Sequence, residues 1–398
     1  MPGYGPFHPG FSPINDGDRE SPKWAETYLP VKGVPTHWQQ TQICRIWLNT
    51  HQFVYQNMLA GKISSTDYVG LQKGWHWVPD TTKLSKRPIK CYLYIVKGFD
   101  PKTGKYPVMV DTNNNLNFGD EKLIYPPDIN PKDPYQYDRP LRIHYEVYQK
   151  GSVHQLELPM VLKHYGGELF YNFPQHAMVS FEKSSKQHRL LVSSGFTSPD
   201  FEVTSLVDPS GSFLTKKVAP KDEIQRGDVI EINQVRYRNK GVDVFNNWLE
   251  LEPVHSLEKS TLLQVGYPIQ PFKAQAFGTS EVIDLTKCRG RYVYLDFWAT
   301  WCKGCVAAMP ALMKIYQQTN RKRVEFIGIA QDSPERLTKF LARKPLAWPQ
   351  IIADSTNNLT KTYHVVGLPT SVLIDPNGIV IGRNLLPDEL QAALKKIE

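Results

Sequence analysis

The chain has 398 residues, of which 41% are hydrophobic and 22% are charged, and its formal net charge is +8. This length exceeds one ordinary hydrophobic core, so we expect two or three globular domains. No run of 18 apolar residues is present, which excludes a transmembrane helix. The positive charge is not concentrated in a dense stripe, so the sequence does not favour a nucleic-acid partner.

The first 35 residues are rich in Pro, Gly and charged side chains and predict an irregular arm. They lack the basic start and apolar centre of a signal peptide. We nevertheless expect a cell-envelope protein, either periplasmic or otherwise extracytoplasmic, whose leader has been removed from a longer precursor. This expectation depends on the C-terminal region described below.

Residues 1–140 combine the arm with a helix and a β-hairpin. Apolar side chains at helical spacing predict one helix over residues 37–59, with a possible break near Asn49 and Thr50. Two β-branched and aromatic runs, residues 90–96 and 106–110, predict the hairpin. Cys44 and Cys91 fall in this part, and the sequence leaves open whether they form a disulfide or two separate buried thiols.

Residues 141–255 predict an antiparallel β domain, either a sandwich or a small barrel. The expected strands are residues 141–148, 188–192, 228–232, 234–238 and 248–251, with a turn at residues 239–241. This region contains no catalytic motif, and its histidines show no metal-ligand spacing.

One segment of the N-terminal region has the alternation of a calcium loop, in which oxygen ligands occupy positions 1, 3, 5 and 7. Leu116 stands where such loops need Gly, and Lys122 stands in place of the closing Glu. Asn side chains also stabilise ordinary turns. Calcium is therefore a weak hypothesis, and its candidate ligands are Asp111, Asn113, Asn115 and Asn117.

Pro and Gly residues between 252 and 271 mark a domain boundary, after which residues 262–398 alternate strands and helices. This order predicts an α/β domain. Its expected strands are residues 291–299, 324–330, 370–375 and 379–382, and its expected helices are residues 302–319, 333–343 and 388–397.

A pair of cysteines separated by two residues lies where the first of these strands runs into a helix. At a helix start Cys302 and Cys305 are close enough to form a disulfide, and the helix N-terminus favours the thiolate of Cys302. The pair suits redox cycling. Metal binding would need two more ligands, and no second cysteine pair or paired histidines are present. Cys288, 14 residues earlier, is expected to be a solitary thiol at a strand start, with a regulatory or second-step bridge as the alternative.

Three separated motifs resemble the thioredoxin superfamily, and within it the TlpA/ResA-type thiol-disulfide oxidoreductases of bacterial cell envelopes. They are the Phe-Trp-Ala-Thr-Trp-Cys-x-x-Cys run ending at Cys305, the residues Gly367-Leu368-Pro369-Thr370, and the turn Ile374-Asp375-Pro376-Asn377-Gly378. The resemblance covers about residues 262–398. It implies a thioredoxin-like fold preceded by a β-rich extension.

The resemblance also implies roles for individual residues. Cys302 is the exposed nucleophile that attacks a substrate disulfide, and Cys305 resolves the mixed disulfide. Lys303 adds a positive charge that favours the thiolate. Two further expectations concern the substrate: Trp301 shields the sulfurs, and Pro369, a cis proline facing them, places Leu368 against the substrate chain.

Asp296 and Ala308 make the motif a hybrid of two branches of the superfamily. Thioredoxins have a buried Asp at the position of Asp296, where burial raises its pKa and suits it to take a proton from Cys305. Many envelope members have instead a Glu three residues after the second cysteine, where this chain has Ala308. Asp296 is therefore the candidate base, and a satisfied buried carboxylate without a catalytic part is the alternative.

The sequence thus predicts a thiol-disulfide oxidoreductase, with reduction of protein disulfides as the favoured direction and a membrane protein as electron donor. Its redox group is its own Cys302–Cys305 disulfide. The alternatives are an envelope disulfide oxidase or isomerase, and a surface binding protein whose β region captures a glycan or protein while the redox domain is accessory. A peroxidase is disfavoured because Phe297 and Trp298 occupy the positions of the peroxiredoxin Pro and Thr.

Overall fold

The structure is a computed structural model that describes residues 1–14, 22–75, 77–130, 133, 135–136, 139–183, 186–201, 204–208, 218, 223–254, 263–365 and 367–397. The chain forms two compact units: Met1–Val218 with Gly241–Glu250, and Ala219–Lys240 with Leu251–Glu398. The three-part division stays a prediction, and residues 255–262 of its boundary lie outside the described residues. No described helix is long and apolar enough to cross a bilayer.

The N-terminal unit is rich in strands, arranged in several antiparallel sheets. One sheet has the order β1-β7-β6-β5, a second contains β2-β3-β4, and a third contains β10-β9-β8. The strands are β1 Ser12–Pro13, β2 Gln39–Trp47, β3 Tyr92–Phe99, β4 Val108–Val110, β5 Leu141–Gln149, β6 Ser152–Tyr165, β7 Glu168–Asn172, β8 Ala177–Lys183, β9 Lys186–Ser193 and β10 Ser205–Val207. The helices are α1 Pro22–Ala25, α2 Thr50–Leu59 and α3 Ser65–Gly74.

The main core of this unit is shared by the first two sheets. Side chains from β2 and β3, among them Cys44 and Ile95, pack in one cluster with Ile143 of β5 and Met160 of β6. The β3–β4 hairpin is confirmed by its register, with Ile95 opposite Val110. The strand-rich character is therefore as expected, and the description as a sandwich or barrel stays a prediction.

The single helix expected over residues 37–59 is wrong in its first half. Residues 39–47 form β2, which pairs antiparallel with β3 and places Cys44 opposite Ile95. The tertiary partner decides here, because β3 offers a long β-branched strand to pair with. A helix begins only after Asn49, whose side chain accepts a hydrogen bond from the Gln52 N–H at 2.9 Å and caps α2.

The turn expected at residues 239–241 is also wrong, since these residues lie within a strand. The strands here are β11 Ile224–Gln225, β12 Val229–Ile232, β13 Val235–Asp243 and β14 Trp248–Pro253. β12 and β13 pair antiparallel, with Ile232 opposite Val235. The turn is formed by Asn233 and Gln234, whose φ values are +50° and +63°. Two successive residues with positive φ are typical of the tight hairpin turn that matches strand twist.

The second unit contains the thioredoxin-like fold that the resemblance predicts. Its five-stranded sheet has the order β19-β18-β17-β20-β21, in which β17 is parallel to β18 and antiparallel to β20. The strands are β15 Lys273–Gln275, β16 Val282–Asp284, β17 Tyr292–Trp298, β18 Val324–Ala330, β19 Gln350–Ile352, β20 Thr370–Ile374 and β21 Val380–Arg383, and the helices are α4 Lys303–Gln318, α5 Pro334–Arg343, α6 Leu359–Thr362 and α7 Pro387–Ile397.

The central strand β17 is buried along nearly its whole length, as an apolar strand covered on both faces should be. On one face, Tyr294 packs with Leu312 of α4 and Leu390 of α7. On the other face, Leu295 and Phe297 pack with residues from β18, β20 and α6. Because α4 begins directly after β17, the cysteine pair lies at the carboxyl end of the central strand.

The hairpin of β12 and β13 is tied to this unit by a buried ion pair. Nη1 of Arg383 on β21 lies 2.7 Å from Oδ2 of Asp228, and Nη2 of Arg383 also donates to the Gln225 side chain. Both charged side chains are less than a tenth exposed. Removing one partner of such a pair leaves the other charge buried and uncompensated, so the pair holds residues 225–228 against β21.

Three cysteines outside the motif, Cys44, Cys91 and Cys288, are buried and form no disulfide. The Cys44–Cys91 bridge that the sequence left open is therefore not formed. Burial raises the pKa of Cys91 and of Cys288 above that of an ordinary thiol. A raised pKa keeps a thiol protonated and unreactive, so neither residue has the character of a second redox centre.

Candidate active site

The two motif cysteines form a disulfide at the first turn of α4. Cys302 is the N-cap of the helix, with φ −78° and ψ 98°, and its Sγ accepts a hydrogen bond from the Cys305 N–H at 3.1 Å. Here a sulfur takes the place of the usual capping oxygen and satisfies one of the unpaired N–H groups of the helix start. Both residues are buried in this oxidised state, with Cys302 7% and Cys305 4% exposed, so the expectation of an exposed Cys302 is wrong for the disulfide form.

The loop before β20 faces this helix start. The peptide bond between Leu368 and Pro369 is cis, as the resemblance implies. Pro369 approaches Gly304, since Cδ of the proline is 3.8 Å from the position that a Cβ on Gly304 would occupy. Leu368 packs against the cluster that contains both cysteines. Pro369 and Leu368 therefore lie beside the cysteines, although they follow them by more than 60 residues.

Trp301 lies at the surface next to the cysteines, with 57% of its area exposed. Its indole N–H donates to the Gln331 carbonyl at 3.2 Å, which holds the ring against the end of β18. The ring borders a surface depression of about 290 Å³ that is also lined by Asp332, Ser333 and Arg336. Shielding of the sulfurs by Trp301 stays a prediction. Lys303, the first residue of α4, is exposed beside them.

Asp332 is a site residue that the sequence reasoning missed. Its two carboxylate oxygens accept hydrogen bonds from the Thr300 N–H at 2.6 Å and the Thr300 hydroxyl at 2.8 Å. These bonds fix the turn that leads from β17 into Cys302. The strand order could have predicted this contact. Thr300 follows β17 and Asp332 follows β18, and the carboxyl ends of neighbouring parallel strands meet at one edge of the sheet.

Trp298, the last residue of β17, is anchored from a third strand. Its indole N–H donates to Oε1 of Gln350 on β19 at 2.9 Å. The Gln350 side chain lies directly over Gly328, where an added Cβ would come within 2.1 Å of it. Gly328 thus leaves the room that lets Gln350 reach Trp298, and this hydrogen bond holds the end of β17 in place.

Asp296 lies in the middle of β17, on the strand face that also carries Tyr294 and Trp298, since side chains alternate along a strand. Tyr294 and Trp298 pack against helix α4, at Leu312 and Met309 respectively. Asp296 is 7% exposed, and the structure gives it no hydrogen bond or ion pair with a described residue. Burial raises the pKa of its carboxyl group to about 7. It therefore changes protonation near neutral pH, beneath the helix that carries Cys305.

The predicted calcium ligands lie in one loop, but their oxygens are engaged within it. Both carboxylate oxygens of Asp111 accept backbone N–H groups, from Asn115 and Leu116, each at 2.9 Å. Side-chain oxygens of Asn113 and Asn115 accept the N–H groups of Asn115 and Asn117. The described part of the chain contains no group of three or more His, Cys, Asp or Glu placed to hold a metal ion. The structure accounts for the pattern as a self-bonded turn and gives no support to calcium.

Comparison with known proteins agrees with this geometry. The model of the AhpC/TSA family matches residues 265–383. The thiol-disulfide oxidoreductase ResA of Bacillus thuringiensis subsp. konkukian is 38% identical over 119 residues, which cover 29% of this chain and 68% of that protein. The chain belongs to the ResA family of thiol-disulfide oxidoreductases. ResA of Geobacillus kaustophilus is 33% identical over 118 residues, covering 29% of this chain and 67% of that protein.

A solved structure, the thioredoxin domain of a thiol-disulfide oxidoreductase from Bacteroides vulgatus, is 24% identical and covers 33% of this chain and 96% of that chain, with a TM-score of 0.32. As a ResA family member, this protein is an enzyme whose redox group is the Cys302–Cys305 disulfide. The family model covers residues 265–383, so it bears on the thioredoxin-like domain and leaves the strand-rich unit undescribed.

The raised pKa of Asp296 predicts a pH-dependent stability. Between pH 4 and 7 the carboxyl group is ionised in the unfolded chain but protonated in the folded protein, so the folded state loses stability as pH rises towards 7. Asp296→Asn removes this cost. We expect the free energy of unfolding of Asp296→Asn, relative to that of the unsubstituted protein, to be about 2 to 3 kcal/mol higher at pH 8 than at pH 5. Urea unfolding of both oxidised proteins at each pH measures it.

The matched control for this measurement is Asp388→Asn, since Asp388 is exposed in the first turn of α7. Its effect on the free energy of unfolding should be small at both pH values. A stability difference between Asp296→Asn and the unsubstituted protein that is the same at pH 5 and pH 8 would show that Asp296 does not titrate near neutral pH.

Proposed function

We propose that this enzyme is a reductase of protein disulfides that works outside the cytoplasm, in the cell envelope. The observation that carries the proposal is the setting of the cysteine pair. Cys302 and Cys305 close into a disulfide at a helix start, beside Pro369, on the sheet edge above the buried Asp296. A sulfur at a helix N-terminus is the arrangement that favours a reactive thiolate.

The reaction follows from the positions of the two sulfurs. In the reduced enzyme the Cys302 thiolate attacks one sulfur of a substrate disulfide, that S–S bond breaks, and the second substrate sulfur leaves as a thiolate. Cys305 then loses its proton and attacks Cys302, which releases the first substrate sulfur. The substrate gains two electrons and the enzyme dithiol becomes the disulfide seen in the structure.

Asp296 is the base that we assign to the second step. Cys305 is almost fully buried, so its thiol has little access to solvent. A carboxyl group with a pKa of about 7 accepts a proton at neutral pH and returns it afterwards. Ala308 stands at the position where many envelope members have a Glu and supplies no carboxylate. We therefore assign the proton transfer to Asp296.

We infer the reducing direction from the small number of groups that stabilise the Cys302 thiolate. Three groups stabilise a thiolate at Cys302: the Cys305 N–H, the helix N-terminus and the adjacent Lys303. The two residues between the cysteines include no histidine and no second cation. An ionised Asp296 in the interior disfavours a thiolate at Cys305. Strong disulfide oxidants depend on a stabilised reduced form. Without that stabilisation the dithiol gives up its electrons readily.

The surface around the cysteines suits a polypeptide substrate. Trp301 offers an exposed aromatic face, and Leu368 with Pro369 offers the edge of a loop beside the sulfurs. Each turnover leaves the enzyme oxidised, so a dithiol donor must reduce it again. For an enzyme outside the cytoplasm we propose a membrane protein as that donor.

Substrate trapping tests the assignment of the two sulfurs. Cys305→Ser cannot resolve the mixed disulfide, so we expect it to remain covalently bound to substrate proteins in the native compartment. Non-reducing electrophoresis before and after added dithiothreitol measures the adducts. Cys302→Ser, which lacks the attacking sulfur, and Cys288→Ser, which lacks a buried thiol away from the helix start, are the controls. Adducts as abundant with Cys302→Ser as with Cys305→Ser would refute the assignment.

The base role predicts a pH profile. The rate of insulin reduction should rise through pH 7 as Asp296 ionises, and Asp296→Asn should lose this rise and be about 10- to 100-fold slower above pH 7. The measurement is kcat from pH 6 to pH 9, with Asp388→Asn as the control. Equal profiles for Asp296→Asn and the unsubstituted enzyme would leave Asp296 as a buried carboxylate without a catalytic part.

A further inference from the structure

Four basic side chains lie together in the unit that contains the disulfide, and we refer to them as the basic patch: Arg226, Arg238, Lys240 and His364. Arg238 and Lys240 are two residues apart on β13, so they share a face of the strand. Each has its charged nitrogen 3.8 Å from Oε2 of Glu252. Arg238 also donates from Nη1 to the Gly227 carbonyl at 3.1 Å.

His364 joins the patch from a distant part of the sequence. A Cβ placed on Gly227 would lie 3.8 Å from Cγ and Cδ2 of the imidazole, so the Gly227 backbone packs directly on the ring. The pKa of His364 is lowered, first by desolvation and then by three nearby cations. These cations are Arg238, Arg226 and Lys240. Residues more than 120 positions apart therefore form one surface.

The charges of the basic patch are only partly balanced. Glu252 is shared by Arg238 and Lys240, while Arg226 is exposed and makes no hydrogen bond or ion pair with any residue that the structure describes. Asp228, next to the patch, is already committed to Arg383. Among the described residues, Arg226, Arg238 and Lys240 therefore share one carboxylate, that of Glu252, which is not committed to another cation. This excess of positive charge attracts an anionic group.

The basic patch lies within reach of the reacting sulfurs. His364 precedes Pro369 by five residues, which span at most about 17 Å when fully extended. Pro369 itself adjoins Gly304, between the two cysteines. At the other end, Tyr363 is buried, its hydroxyl donates to the Gln270 carbonyl, and its ring packs against Phe297. The start of the loop is therefore anchored at Tyr363, and His364 lies within this chain length of Pro369.

We propose that the basic patch binds an acidic segment of the substrate protein, close in space to the disulfide that Cys302 attacks. Arg side chains recognise Asp and Glu carboxylates with paired hydrogen bonds, and a positive surface raises the encounter rate of an acidic partner. The inference rests on the proposed reductase function. It deepens that function, because it gives the β12–β13 hairpin, which precedes the thioredoxin-like sheet, a part in selecting substrates.

The test uses four synthetic peptides with the same uncharged disulfide loop, two with a tail of four Glu and two with a tail of four Gln. In each pair the tail stands before the loop in one peptide and after it in the other, separated by a Gly-Ser spacer. We expect kcat/KM for the better Glu peptide to exceed that of its Gln counterpart about 10-fold at 20 mM NaCl. The ratio should fall below about 2 at 0.5 M NaCl, because salt screens the exposed charges.

The variant is Arg226→Glu with Lys240→Glu, and it should lose or reverse the preference while reducing the Gln peptide normally. The control is Lys314→Glu with Arg343→Glu, which changes the net charge equally on exposed positions of α4 and α5. Equal kcat/KM for the Glu and Gln peptides, or the same loss of preference in variant and control, would overturn the proposal.

Binding of the tailed peptides to the oxidised full-length protein separates this proposal from the reductase assignment. Fluorescence anisotropy gives Kd for the Glu and Gln peptides independently of turnover. Patch-dependent binding of the Glu peptide without any reduction of either peptide would support the docking surface and contradict the reductase function. Turnover of both peptides with equal Kd values would support the reductase function and contradict the docking surface.

Discussion

The hydrogen bond from the Cys305 N–H to the Cys302 sulfur is the interaction on which the rest of the active site depends. It makes a sulfur the cap of α4, so the helix start and the reactive atom are held in one place. The same N–H remains available to a thiolate when the disulfide is reduced. Everything else in the site keeps this helix start against β17: Asp332 binds Thr300, Gln350 binds Trp298, and Pro369 adjoins Gly304.

Two opposing electrostatic influences act on the cysteine pair. The helix start and Lys303 stabilise a thiolate at Cys302, while the interior and an ionised Asp296 disfavour a thiolate at Cys305. The first makes the attack on a substrate fast, and the second makes the enzyme disulfide the more stable state. The buried carboxyl group of Asp296 costs folding stability that builds up between about pH 4 and pH 7, and the proposed proton transfer from Cys305 gives a reason for its place in β17. This combination is the basis of the proposed reductase function.

In the C-terminal domain the four predicted strands and three predicted helices are found within one residue of their expected bounds, whereas β15, β16, β19 and α6 were not predicted. Residues 324–330 form β18 and helix α5 starts after Ser333, as expected, because a continuous apolar run and an N-cap followed by Pro334 are local signals. The helix expected over residues 37–59 failed because the same apolar spacing also suits β2, and only the pairing with β3 decides.

Among the site residues, Cys302 and Cys305 were visible in one motif. Asp332 and Gln350 were not, since their partners lie on other strands. The basic patch was hidden for the same reason: Arg226 and His364 meet only in the folded chain.

The standard reduction potential of the Cys302–Cys305 pair tests the central claim most directly. Equilibration of the full-length protein with defined ratios of reduced and oxidised dithiothreitol, followed by alkylation of free thiols, gives the value. Cys288→Ser serves as a background without the third thiol of the same unit. A potential near that of thioredoxin, about −270 mV, is the predicted result. A potential near that of the strong oxidant DsbA, about −120 mV, would contradict a reductase.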